Sequence, residues 1–77
     1  GQFEEALQLY ERLLSQHPDD AELHHLVAIL LAQLNQLDEA INHLNQSIYY
    51  NENDARYYNS LGNVLTKKKF FQDAIKN

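Results

Sequence analysis

The sequence predicts an all-α protein made of antiparallel helical hairpins stacked in a row. Three observations carry that prediction: few chain breakers, apolar residues at helical spacing, and a repeat two helices long. The 77 residues include only two glycines and one proline, too few turn formers for a β sandwich or barrel. Sliding the chain along itself by 34 residues brings Ala6, Ala40 and Ala74 into register, and self-similarity at such a period marks a stacked repeat.

The residues around those alanines agree in type. Phe3-Glu4-Glu5-Ala6-Leu7, Leu37-Asp38-Glu39-Ala40-Ile41 and Phe71-Gln72-Asp73-Ala74-Ile75 share one order: large apolar, two polar, alanine, aliphatic. A second set obeys the same shift, with Leu23, Val27, Ala28, Leu30 and Leu31 matching Tyr57, Leu61, Gly62, Val64 and Leu65. The chain therefore divides into a partial repeat over 1–20 (its second helix), a full repeat over 21–54, and a partial repeat over 55–77 (a first helix and the start of a second).

Each element has its own justification. Pro18 stops the first helix, because it cannot donate to the ladder, and the Asp19-Asp20-Ala21-Glu22 stretch offers an acidic N-cap with Glu22 completing a capping box. On residues 20–34, at about 100° per residue, Leu23, Val27, Leu30, Leu31 and Leu34 share one side while Glu22, Ile29 and Gln33 take the other. Leu37, Ala40, Ile41, Leu44 and Ile48 give the i, i+3, i+4, i+7 stripe of the next amphipathic helix. Asn53 and Asp54 cap the helix after it. Gly1 and Asn35 occupy equivalent places between paired helices, where a left-handed residue commonly closes a helix; Lys69 holds that place in the third copy. Lys67-Lys68-Lys69 reads as a solvated loop, and the last helix, beginning after it, is left with at most seven residues. Such a helix is too short to persist alone in water, so the chain reads as a piece excised from a longer array.

Small residues predict where the helices touch: Ala28 and Gly62 on one helix of each pair, Ala6, Ala40 and Ala74 on the other, with Leu61 beside them. They allow axes to approach within about 8–10 Å.

These residues resemble the tetratricopeptide repeat. Tyr58, Leu61-Gly62 and Leu65 match the pattern of its first helix, and Ala6, Ala40, Ala74, Tyr10 and Pro18 that of its second. The departures are His24 in place of an aromatic, Ala28 in place of glycine, and Glu52 in place of proline. The resemblance implies a right-handed α-solenoid whose concave surface is lined by the first helix of each pair and receives an extended peptide or a partner's helix. On this chain that surface comprises Glu22, His25, Ile29, Ala32 and Gln33, then Arg56, Asn59, Asn63, Thr66 and Lys67. Asparagine amides suit the task, since each offers donors and an acceptor to a bound main chain; the alternative is that Asn59 and Asn63 merely solvate an exposed face. Two specialised relatives are disfavoured. The chaperone-tail clamp needs Lys and Asn where His25 and Ile29 stand, and the asparagine ladder of arrays on sugar-transferring enzymes needs Asn where Ser60 stands.

Composition excludes other classes. Without cysteine there is no disulfide, iron–sulfur cluster or thiolate zinc site. No apolar run reaches the roughly 18 residues of a membrane span, and no secretion signal opens the chain; a cytoplasmic setting is the expectation. The net charge of −5 is uneven: ten of the eleven acids precede residue 55, and five of the six Lys and Arg follow Asp54. An acidic main body argues against nucleic acid as a partner. The four histidines lack the i, i+4 spacing of a helical zinc motif and read as solvated or half-buried. Tyr49 and Tyr50 read as core. Glu4, Glu5, Asp38 and Glu39 offset helix dipoles. With no nucleophile elbow, phosphate loop or catalytic triad spacing, the expectation is a non-enzymatic scaffold without cofactor that binds a protein or peptide. The alternative is a self-association, regulatory or substrate-docking segment of a larger enzyme such as a glycosyltransferase. Phe3, Phe70 and Phe71, at the ends, are the expected route to a homo-oligomer.

Overall fold

A computed structural model describes residues 1–76; Asn77, the last residue of the predicted third copy, lies outside the described residues. Among the described residues the regular structure is four helices: α1 (Gln2–Gln16), α2 (Ala21–Gln33), α3 (Leu37–Tyr50) and α4 (Ala55–Lys76). Each packs on the next through a connection of three or four residues, which forces successive helices antiparallel.

The turns show how local chemistry sets this path. α1 ends at His17, whose N–H reaches the Leu13 and Leu14 carbonyls, and Pro18 follows. Asp20 caps α2, its side chain accepting from the Leu23 N–H at 3.1 Å. The predicted capping box is therefore corrected: with Asp20 as cap, the third helical position is Leu23, and Glu22 is free to reach α4 instead. Asn35 closes α2 with φ 61°, a conformation that asparagine tolerates better than most side chains. Its N–H bonds the Ala32 carbonyl and that of Gln36 bonds Leu31 at 2.9 Å, the paired bonds of a Schellman motif. Gly1, expected to play the same part, is the N-cap of α1.

α2 touches α1, α3 and α4, whereas α1 touches α2 alone. The core follows: Leu14, Val27, Ala28, Leu31, Leu37, Ala40, Leu44 and Val64 form one buried cluster. Because α2 and α4 touch while α1 and α3 do not, the layer holding α2 and α4 is the shorter one, on the inside of the bend. The body is 14 Å thick along its shortest axis, as expected for two layers of helix backbone with axes about 8–10 Å apart.

The buried polar side chains of this core are His24, His25 and Ser47, and each makes at least one hydrogen bond. Ser47, wholly buried, donates to the Ala21 carbonyl at 2.9 Å and so joins α3 to the start of α2. His24 and His25 are buried, which overturns their reading as solvated or half-buried side chains; the breadth of contact around α2 leaves it no face turned wholly to water. His24 Nε2 lies 2.8 Å from the Pro18 carbonyl, which can only accept, so in the neutral ring Nδ1 accepts from His43 Nδ1 at 3.0 Å. Tyr50 stacks on His24 but remains partly exposed, and Tyr49 is 81% exposed. The core assignment of Tyr49 is thus wrong: one residue from Tyr50, and so about 100° around α3, it falls on a different face from the ring that reaches α2.

The largest correction concerns the end of the chain. Lys67–Lys69 is not a loop, Lys69 closes nothing, and no separate helix begins at Phe71: α4 runs unbroken through Lys76. Lysine is a good helix former, and residues 67–75 contain no Gly, Pro or Asn to stop the ladder. Two lysines also tie this stretch to the body, Lys67 Nζ to the Ala32 carbonyl at 3.0 Å and Lys68 Nζ to Asp38 at 2.6 Å. Consequently Ala74 is exposed. Gly62 is exposed as well, and a Cβ built on it would meet nothing within 4 Å; it is not a helix contact, because that side of α4 has no neighbour. Ala28 and Ala40 are fully buried, and Ala6 and Leu61 are partly so.

Candidate functional site

The inner layer is where α2 and α4 lie side by side. Three cross-helix pairs define their relation. Glu22 meets Arg56, His25 meets Ser60, and the Ala32 carbonyl meets Lys67. The partners ascend both helices in the same order, so the two run parallel, one repeat apart. Between them opens a cleft of about 190 Å³. Ala28, Ile29 and Ala32 form one wall, Ser60 and Val64 the other, and Leu44 of α3 the floor, with Gln33 and Asn63 at the rim.

At the N-terminal end of the cleft sits an ionic cluster. The Arg56 guanidinium donates to both oxygens of Glu22, at 3.2 and 3.1 Å, and to both oxygens of Asp54, at 3.1 and 2.7 Å. The hydrogen bonds it donates to Asp54, then those to Glu22, push the arginine's proton affinity above its already high ordinary value; the bond from Arg56 holds the Asp54 carboxyl below its usual range. Asp54 also accepts from the Arg56 N–H at 3.0 Å and so caps α4. The Tyr57 hydroxyl, raised in pKa mainly by burial, donates to Glu22 at 3.2 Å.

His25 lies behind this cluster. Its Nε2 is 2.7 Å from Ser60 Oγ, and its ring packs on Tyr57 at 4.9 Å between centroids. Its Nδ1 is buried without a hydrogen-bond partner, and Glu22 Oε2, at 3.9 Å, is too far to serve. Burial lowers the His25 pKa, with Glu22 opposing and Arg56 adding to the effect, so the ring is neutral near pH 7.

The ten residues predicted to line the groove therefore divide. Ile29, Ala32, Gln33 and Asn63 border the cleft. Asn59 and Thr66 are exposed on α4 outside it, and the Thr66 hydroxyl donates to the Gly62 carbonyl within its own helix. His25 is not a lining residue at all. Glu22, Arg56 and Lys67 lie at the ends of the cleft, engaged with one another or with main chain. Sequence reasoning missed Ser60 and Val64 as lining residues. A signal existed: Ser60, Asn63 and Lys67 follow i, i+3, i+7 spacing, which puts Ser60 on the face that already held the other two.

A family model for the tetratricopeptide repeat matches residues 1–64. The chain belongs to the tetratricopeptide repeat family. None of the curated proteins compared with it matches. The tetratricopeptide match takes in α1, α2, α3 and the first half of α4. Tetratricopeptide repeats are protein–protein interaction modules, and here the inner layer carries the cleft. Among the described residues, no three His, Cys, Asp or Glu side chains gather as a metal site requires, and no helix is long and apolar enough to cross a membrane.

Proposed function

We propose that this chain is a non-catalytic scaffold that holds an extended peptide, or one helix of a partner protein, in the cleft between α2 and α4. The observation that carries this reading is the combination of apolar walls with an amide rim. Gln33 and Asn63 border the cleft and Asn59 stands one turn away, all three exposed. Amides at this spacing can pair with a bound main chain, while the apolar floor takes up a side chain. The bend reinforces it, because the inner layer of a curved stack faces its partner from two helices at once. Nucleic acid is an unsuited partner for the acidic body. Asn59→Ala together with Asn63→Ala is expected to weaken capture of a peptide partner, measured by calorimetry. Unchanged affinity with the pair removed would dismiss the groove.

A second reading is favoured by the far end of α4. Phe70 and Ile75 are 67% and 85% exposed, on a segment carrying Lys67, Lys68, Lys69 and Lys76, while α1 carries Glu4, Glu5 and Glu11 beside exposed Phe3 and Leu9. Such complementary ends suit association with a second copy, whether the chain acts alone or as a docking segment of a larger enzyme such as a glycosyltransferase. Light scattering at high protein concentration, with and without 0.5 M salt (about 4 Å screening), tests it; a monomer in both conditions counts against it.

A further inference from the structure

We infer that the cleft between α2 and α4 selects its peptide by a single uncharged aliphatic side chain and disfavours acidic peptides. The inference rests on the groove reading above and adds the chemistry of the ligand.

The first ground is that the cations near the cleft are already engaged. Arg56 donates to two carboxylates, Glu22 and Asp54. That end of the cleft therefore carries two acids against one base. Lys67 is held at the other end by the Ala32 carbonyl, in the last turn of α2, where the helix dipole also favours a cation. An acidic ligand would have to compete with two bound carboxylates for Arg56, at an end of the cleft that is net negative, and at the other end would find Lys67 already drawn to a helix carbonyl. A neutral ligand displaces neither.

The second ground is size and lining. A space of about 190 Å³ falls below the roughly 300–1,000 Å³ typical of small-molecule pockets. It is on the scale of one side chain with its main chain. The hole exists because Ala28 and Ala32 are small: their methyl groups, with Leu44 beneath and Val64 opposite, make an apolar socket. Gln33 and Asn63 stand above the socket, where the main chain on either side of an anchored residue would pass. No charged side chain borders it.

The test uses the whole chain and a displayed library of random peptides, followed by calorimetry on the enriched sequences. The expected result is enrichment of peptides sharing one Val, Ile or Leu without enrichment of Asp or Glu. Ala32→Leu fills the socket with a strong helix former, so the fold is kept, as circular dichroism can verify. It should weaken a selected peptide by about tenfold or more, the scale on which an apolar pocket senses added methylenes. A second variant does not depend on packing: Glu22→Gln removes one of the two acids and should reduce the penalty for placing Asp beside the anchor. Enrichment of acidic peptides, or full affinity in the Ala32→Leu protein, would overturn the selectivity and leave the groove standing. Failure of any peptide to enrich would overturn the groove itself, and this inference with it.

Discussion

Leu37–Ile41 and Phe71–Ile75 are the same motif one repeat apart, yet their fates differ. In the first, Leu37 and Ala40 are buried against α2 and the motif opens a helix. In the second, every residue is exposed and the motif sits inside a helix already under way. The motif itself does not explain the difference. What precedes it does: Asn35, with φ 61° and paired bonds to the end of α2, reverses the chain, while Lys69 continues the helix. Ala40 is buried because the residue five positions before it turns the chain back, and Ala74 is exposed because Lys69 does not.

The strongest way to break the comparison is to enlarge the alanine in both copies. Ala40 has 0% exposure and lies in the core cluster, so Ala40→Leu is expected to cost about 1–3 kcal/mol by overpacking. Ala74→Leu, at an exposed position, should stay within about 0.5 kcal/mol of the parent. Urea melts of the two variants measure both; equal effects would show that the alanines have equivalent surroundings.

Next in size is the turn. Asn35→Ala places a Cβ without a compensating amide in left-handed backbone, at a cost of about 1 kcal/mol, whereas Asn35→Gly should be neutral or slightly stabilising. If alanine proved as stable as glycine there, the turn would not be what separates the two motifs. The converse change, Lys69→Gly, should weaken α4 alone and be visible as lost helicity in its distal half.

The hairpin pattern, the cap at Asn35, the buried Ala28 and Ala40, and the stop at Pro18 were legible because each depends on a residue's own conformational preference or on its helical phase. What was not legible depends on neighbours. The unbroken α4 could not be read by aligning Lys69 with Asn35, since the register of a repeat does not supply a residue able to turn. Gly62 matched the family pattern but has no helix beside it. Burial of His24 and His25 needed knowledge that α2 has three partners, and the ionic tie of Glu22 to Arg56 needed the parallel pairing of α2 and α4. Of the cleft, the rim amides were readable from helical phase; the floor at Leu44 comes from a third helix and was not.

The smallest expected effect concerns protons, and it too separates the two regions, because His24, His25 and His43 all lie in α2 and α3 and none in α4. Burial lowers the pKa of His25 and His43 below the ordinary value of 6.5, and for His43 the neighbouring His24 adds to the shift. The unfolded chain, with ordinary histidines, then binds protons more readily than the folded one, so stability is complete above about pH 6.5 and falls as the pH drops below it. The carboxyls held low by their partners, Glu4 and Asp54, act in a separate window, at and below their ordinary values of 4.5 and 3.8. Urea midpoints at pH 7.5 and 5.5, chosen about one pH unit either side of the histidine value, should therefore decline together with the α2–α3 hairpin. The His24 and His43 Nδ1 atoms, 3.0 Å apart, form the side-chain bond that ties α3 to α2 at this point. His43→Gln should flatten the decline. A decline of unchanged slope in that variant would assign the acid sensitivity to His25 and the cleft instead of to the pair that joins α2 to α3.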